Sequence, residues 1–201
     1  MTDHNPFYPV LRALAQHRVR YVVAGSMAAR LHGVPDVHPG DLDIVPARDS
    51  ANLRRLRLAL TALGATAEPA SGAWERDDRG EWAWKTAELT SAERAAWQWQ
   101  PNVDDWQTFD RGFTTPYGQL DVVPQIAGTY EELVGRAEPQ LVRDLSILIV
   151  SLADLLARLT VPRRAKDVER VRQLRLLQAR RATARPNEAP ADPQTDDPRF
   201  R

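Results

Sequence analysis

At 201 residues the chain is long enough to bury a sizeable core, as one domain or as a catalytic core with a helical extension. Lys+Arg and Asp+Glu both number 27, so no net field draws the molecule towards nucleic acid or an anionic membrane, and any such attraction has to come from a local patch. Cysteine is absent, which excludes disulfides, thiolate metal sites and Cys nucleophiles. With no signal-like start and no run of roughly 20 apolar residues, the expectation is a soluble, cytoplasmic protein without membrane contact.

Asn5-Pro6 ahead of Phe7, Val10, Leu11 and Leu14 predicts a short helix ending near His17. Val19 to Ala24 is a β-branched and aromatic run that ends at Gly25-Ser26, after which MAARLH carries helix formers up to Gly33. The order is strand, tight turn, helix. A loop with two prolines, Val34 to Gly40, leads into Asp41-Leu-Asp-Ile-Val45, a strand closed by Pro46. Leu53, Leu56, Leu60 and Leu63 then recur at helical spacing between Ser50 and Gly64.

Residues 65 to 110 read as loops around short segments, with a capping box at Thr90 and Glu93, and all six tryptophans lie there. Packing, rather than stacking on a base, is the simpler role for these rings. Phe113-Thr-Thr and Gln119 to Val123 flank the turn Pro116-Tyr-Gly118 as a hairpin with Asp121 in its second strand. Thr129 with Glu132 predicts another capped helix, Leu141 to Val150 a strand or hairpin, and Ser151 with Asp154 a third cap before LADLLARL. Pro162 interrupts, a basic helix runs from Arg164 to about Ala184, and the Pro- and Asp-rich tail lacks the apolar residues to order itself. Arginines along that helix are most simply a solvated face, although beside a cleft they would favour a polynucleotide. His4, His17, His32 and His38 show no metal-ligand spacing, and the pairs Asp77-Asp78 and Asp104-Asp105 sit in loop-like surroundings.

The chemistry concentrates in a few positions. Residues two apart on a strand share a face, so Asp41 and Asp43 project side by side while Leu42 and Ile44 turn to the core. Two adjacent carboxylates are costly without a cation between them, and hard oxygen ligands on a rigid strand suit Mg²⁺ or Mn²⁺. Asp121 is the candidate third carboxylate, and Gly25 with Ser26 form a glycine turn opening a helix, a setting that presents backbone N–H groups to phosphate. Each feature alone has an ordinary reading, a solvated strand edge or a plain loop. Their order along the chain is the specific signal.

GSMAARLHGVP, DLDIVP, NLRRLRLALTALGA, TPYGQLDVVPQ, SLADLLARL and RAKDVERVRQL together resemble the nucleotidyltransferase superfamily with the DNA polymerase β-like fold, and within it the bacterial abortive-infection (AbiEii-like) toxin nucleotidyltransferases. The resemblance implies an α/β (α+β) fold with a central mixed sheet flanked by helices and a helical C-terminal extension. Along the chain this gives a core over 1–150, a basic helical part over 151–185 packed on it, and, from its composition, a disordered tail over 186–201. The resemblance also implies Asp41, Asp43 and Asp121 as metal ligands and catalytic carboxylates, and Gly25, Ser26, Lys166 and Asp167 as nucleotide-binding residues, with Arg30 a candidate to supply a contact the family makes elsewhere. The implied reaction is transfer of a nucleoside monophosphate from a nucleoside triphosphate to a hydroxyl of RNA, a tRNA end, a protein or a small molecule, with a partner toxin or antitoxin as a further expectation. The alternative is a catalytically degenerate nucleotide-binding or antitoxin module. Two departures stand out: Leu159, beside Arg158, where many relatives carry a lysine, and Val37-His-Pro39 where an Arg-x-Thr is usual.

Overall fold

The computed structural model describes residues 5–69, 72–76, 82–86, 90–124, 128–159 and 165–184, with side chains for all but 72–76, 82–86, 94–96, 165, 166 and 184. Its centre is strand β1 (Tyr21–Val23), buried at all three positions, lying antiparallel to β2 (Asp41–Pro46). The sheet around them runs β3 (Thr66–Ala67), β6 (Arg111–Thr115), β7 (Gly118–Val122), β2, β1, β9 (Leu145–Ile149), β8 (Glu138–Val142), seven strands in all. Two neighbouring pairs are parallel, β2 with β7 and β1 with β9, and the rest are antiparallel, so the sheet is mixed. A separate two-stranded ribbon, β4 (Gly72–Arg76) and β5 (Trp82–Thr86), pairs Trp74 with Trp84.

Helices flank the sheet in two packed groups. Helix α1 (Tyr8–Gln16) rests on α3 (Ser50–Ala62), while α2 (Gly25–Leu31) touches β2 and α6 (Leu152–Arg158), and α6 packs on α7 (Ala165–Ala184). Helix α1 begins later than Asn5-Pro6 suggests: Asn5 Oδ1 accepts from the Phe7 amide at 3.0 Å, and the first-turn proline is Pro9. Leu53, Leu56 and Leu60 of α3 are buried as their spacing predicts, and the helix is capped by Asp49, whose side chain accepts from the Asn52 amide. Both threonine capping boxes form, at α4 (Ser91–Ala96) and at α5 (Tyr130–Val134). The third cap is half a box, because Ser151 accepts from the Asp154 amide while the Asp154 carboxylate turns to Arg136 at 2.8 Å.

Two polar anchors hold the site's scaffold. Asn52 is fully buried, accepting from the Arg20 amide at 2.7 Å and donating to the carbonyls of Arg20 and Ala47 at 2.9 Å. It thereby ties α3 to the start of β1 and the end of β2, and leaving those groups unpaired would cost on the order of 1–3 kcal/mol each. His32, also buried, makes a 2.7 Å bond to the Val150 carbonyl, and Arg181 reaches both the His32 carbonyl and Glu138. Through these contacts, and through fully buried Leu174, α7 is fastened across the end of α2 and strand β8. The two aspartates Asp104 and Asp105 have local structural roles: one accepts from the Ser50 hydroxyl at 2.7 Å and the other from the Gln107 amide at 3.0 Å. Asp77-Asp78 and the tail after 184 lie outside the described residues. Among the described residues, no helix is long and apolar enough to cross a membrane.

Candidate active site

In the parallel pair β2 and β7, Asp41 lies opposite Gln119 and Asp43 opposite Asp121. Side chains two apart on a strand share a face, and paired residues of neighbouring strands stand about 4.8 Å apart. The register therefore sets Asp41, Asp43, Gln119 and Asp121 in one patch, with Leu42, Ile44, Leu120 and Val122 fully buried on the reverse face. Gln119 Nε2 donates to Asp121 Oδ1 at 3.3 Å.

Gly25 closes over this patch. Its φ of +60° is a left-handed conformation that a side chain disfavours, and a Cβ there would fall 1.7 Å from Asp43 Oδ2. Only glycine lets the start of α2 come this near the carboxylate. The Ala24 amide donates to the Asp43 carbonyl at 3.0 Å, and Ser26 Oγ lies 3.4 Å from Asp41 Oδ1. The first intrahelical bond of α2 runs from the Ala28 amide to the Ala24 carbonyl, so the amides of Gly25, Ser26 and Met27 precede the helical ladder beside the aspartates.

The electrostatics follow from this crowding. Burial first, and then the charges of Asp41 and Asp121, push the Asp43 carboxyl up to about 7, against the pull of Arg158 and Arg170. Asp121 is raised as well, first by burial and then by Asp41, with the Gln119 bond opposing and Glu68 adding to the rise. Among the described residues, Arg158 at the end of α6 and Arg170 on α7 are cations that act on Asp43. Asp167, one turn before Arg170, is buried, and the Lys166 side chain lies outside the described ones. Arg30, exposed near the end of α2, borders a small cavity with Phe7, Met27, His38 and Val142, whose lining includes none of the three aspartates.

Two further residues join the patch without a sequence signal. Glu68, just past β3, continues the pairing with β6 through its amide, 2.9 Å from the Gly112 carbonyl. Its Oε2 and Asp121 Oδ1 each lie 3.2 Å from the point a Gly112 Cβ would occupy, so the two oxygens are within twice that distance of one another. Thr114 Oγ1 donates to Glu68 Oε1 at 3.0 Å and lies 3.3 Å from Gln119 Oε1. A chain of polar contacts thus runs from Glu68 through Thr114 and Gln119 to Asp121.

Among the described residues, no three acidic or histidine side chains close into a ready metal cage. The donor set nevertheless suits a small hard dication: three carboxylates on adjacent strands, one of them, Asp43, pushed up to about 7 by burial and by its two carboxylate neighbours. Mg²⁺ keeps several waters and takes only one or two protein carboxylates besides substrate phosphate, so an open half-site is what it requires.

No protein-family model and no curated protein matches the chain. Among solved structures, that of the antibiotic-resistance factor ANT(2'')-Ia is similar, at 13% sequence identity and a TM-score of 0.49, over 89% of this chain and 90% of that one. A likeness this distant transfers no residue role.

Proposed function

We propose that the chain is a metal-dependent nucleotidyltransferase that moves a nucleoside monophosphate from a nucleoside triphosphate to an acceptor hydroxyl. The observation that carries this reading is the β2–β7 register, which sets Asp43 against Asp121 under the Gly25 turn. Asp41, Asp43 and Asp121 would hold Mg²⁺ or Mn²⁺, which when bound neutralises charge on the reacting phosphates. Gly25 and Ser26 would offer backbone amides, and Ser26 a hydroxyl, to the triphosphate, while Arg158 and Arg170, whose charges act on Asp43, would add positive charge. Lys166 and Asp167, on the first turn of α7, are further nucleotide-binding candidates in this reading.

In the reaction, the acceptor oxygen forms a bond to the α-phosphorus as the bond from that phosphorus to the β-phosphate oxygen breaks. Pyrophosphate leaves with the electron pair. The acceptor's proton passes to the Asp121 carboxylate as general base, and from there to solvent. Incubation of the full chain with each α-labelled triphosphate, Mg²⁺ and whole-cell extract tests the reading. Label should move to one size class of acceptor with release of pyrophosphate, and chelation should stop it. Binding of the triphosphate with no release under any of these conditions would instead identify a nucleotide-binding module without turnover.

A further inference from the structure

Gln119 is placed to control Asp121. The two residues lie two apart on β7 and share a face, and across the hairpin they pair with Thr114 and Gly112. Glycine inside a strand often marks a close approach. Here the space belongs to the Gln119 amide, because a Cβ on Gly112 would lie 2.6 Å from its Nε2. The amide therefore runs over Gly112 from Thr114 to Asp121, with Oε1 3.3 Å from Thr114 Oγ1 and Nε2 3.3 Å from Asp121 Oδ1.

The direction of the amide follows from its partners. A carboxylate accepts and an amide nitrogen donates, so Nε2 belongs on the Asp121 side and Oε1 on the Thr114 side. The reverse orientation would set two oxygens against each other at Asp121. Thr114 then supplies the proton that Oε1 needs, and Glu68 Oε1, 3.0 Å from the same hydroxyl, shares it. Both bonds of Gln119 are long, and either alone is a slender restraint on a side chain with three rotatable bonds. Together they hold it from both ends.

What the amide governs is a rotation. The terminal torsion of an aspartate is broad and two-fold, and a base has to meet its proton at about 2.6–3.2 Å. A donor held on Oδ1 selects one rotation of the Asp121 carboxylate and leaves Oδ2 to the chemistry.

We propose that Gln119 is a positioning residue, held by the Thr114 hydroxyl at one end and fixing the rotation of the Asp121 carboxylate at the other. That this serves proton removal from an acceptor rests on the nucleotidyltransferase reading, and that the amide is held does not.

The test exchanges Thr114 in the full chain labelled with ¹⁵N, the Gln119 side-chain amide signals being assigned by their loss in Gln119→Leu. Thr114→Val keeps the shape and the strand propensity and removes the hydroxyl, whereas Thr114→Ser keeps the hydroxyl and lowers the propensity. In the parent and in Thr114→Ser the heteronuclear NOE of the Gln119 amide should match that of the strand backbone. In Thr114→Val it should drop to that of a solvent-exposed glutamine. With α-labelled triphosphate, Mg²⁺ and whole-cell extract, label transfer should fall about tenfold in Thr114→Val and in Gln119→Leu, and Thr114→Ser should restore it to within about threefold. Calorimetric affinity for the same triphosphate should stay within about twofold throughout, since the amide acts on the base rather than on triphosphate binding.

An ordered amide and full transfer in Thr114→Val overturn the proposal. So does a serine variant that loses both, because packing alone ranks valine above serine. Amide order that follows the Thr114 hydroxyl, in a protein that neither binds triphosphate nor transfers label, would keep the positioning of Asp121 and refute the transferase reading. Equal transfer by the parent and Gln119→Leu would keep the transferase and refute the positioning.

Discussion

The middle and the edge of this sheet both bring carboxylates to the same face, by different means. In the middle, β2 and β7 carry Asp41, Asp43 and Asp121 on adjacent parallel strands, where a fully buried reverse face fixes the register. At the edge, β3 is only two residues long, and Glu68 follows it in an exposed position held by one backbone bond and the Thr114 hydroxyl. The middle is built for charge that must not move. The edge carries fewer constraints, and under the proposed transferase reading it is where selection among acceptors would belong.

The largest effect should come from the middle. Asp43→Asn keeps the shape of the side chain and removes the charge that the metal and phosphates require, so label transfer should fall by on the order of 10³-fold or more. Far-ultraviolet circular dichroism should be unchanged. A variant with more than a tenth of parental turnover would remove Asp43 from the chemistry and dissolve the distinction drawn between the two regions.

Gly25→Ala should come next, because a methyl group would meet Asp43 Oδ2 at 1.7 Å and the backbone at φ +60° already disfavours it. Neither partner can yield cheaply, since one is backbone and the other is a carboxylate on a central strand. Turnover should fall by about 100-fold and the protein should lose about 1–2 kcal/mol of stability in urea unfolding. Retained activity would show that α2 need not approach β2 so closely.

That contrast also explains what could be read from the sequence. Asp-x-Asp on a strand, a Gly-Ser turn and Asp121 inside a hairpin are local patterns, each set by period-two alternation or turn chemistry within a few residues, and the sheet brings them into one patch. The helix at 50–62 was legible from its leucine spacing, and the one at 165–184 from a basic run that follows the interruption at Pro162. Glu68, Gln119 and Thr114 were not, because nothing near Glu68 in the chain marks it. It becomes a neighbour of Asp121 only through β3 pairing with β6, a contact across more than forty residues. Arg158 and Arg170 acquire their importance in the same way, from the packing of α6 and α7. The ribbon of β4 and β5 was hidden among charged and glycine residues that read as loop.

A smaller effect concerns stability and pH in the metal-free protein. Asp43 holds its proton up to about pH 7 in the folded state, and an ordinary unfolded aspartate loses it near 4. Between those values the folded state binds more protons than the unfolded one, so stability falls as pH rises through that window and is flat above it. Asp43→Asn should remove this part of the slope and be more stable than the parent at pH 8 by about 1–3 kcal/mol, while matching it more nearly at pH 4. Mg²⁺ with triphosphate should raise the melting temperature of the parent and barely move that of the variant. A parent whose stability rises from pH 5 to 7 would contradict the crowding inferred at the patch.

The smallest effect is expected at Gly112, and it separates edge from middle most directly. A Cβ at this position would lie 2.6 Å from Gln119 Nε2 and 3.2 Å from Asp121 Oδ1 and Glu68 Oε2. These atoms are the ends of side chains, and Gly112 sits in an ordinary strand conformation, so the Gln119 amide can swing aside where Asp43 could not. Gly112→Ala should therefore change stability by less than about 1 kcal/mol, with the loss of unfolded-chain freedom offsetting part of the crowding. Its mark should appear in function. With Gln119 displaced from Asp121, and the notch between Asp121 and Glu68 filled, the acceptor KM should rise about tenfold while triphosphate affinity measured by calorimetry stays within twofold. If triphosphate affinity fell as far as acceptor affinity, edge and middle would be a single site, and the division of labour between them would be wrong.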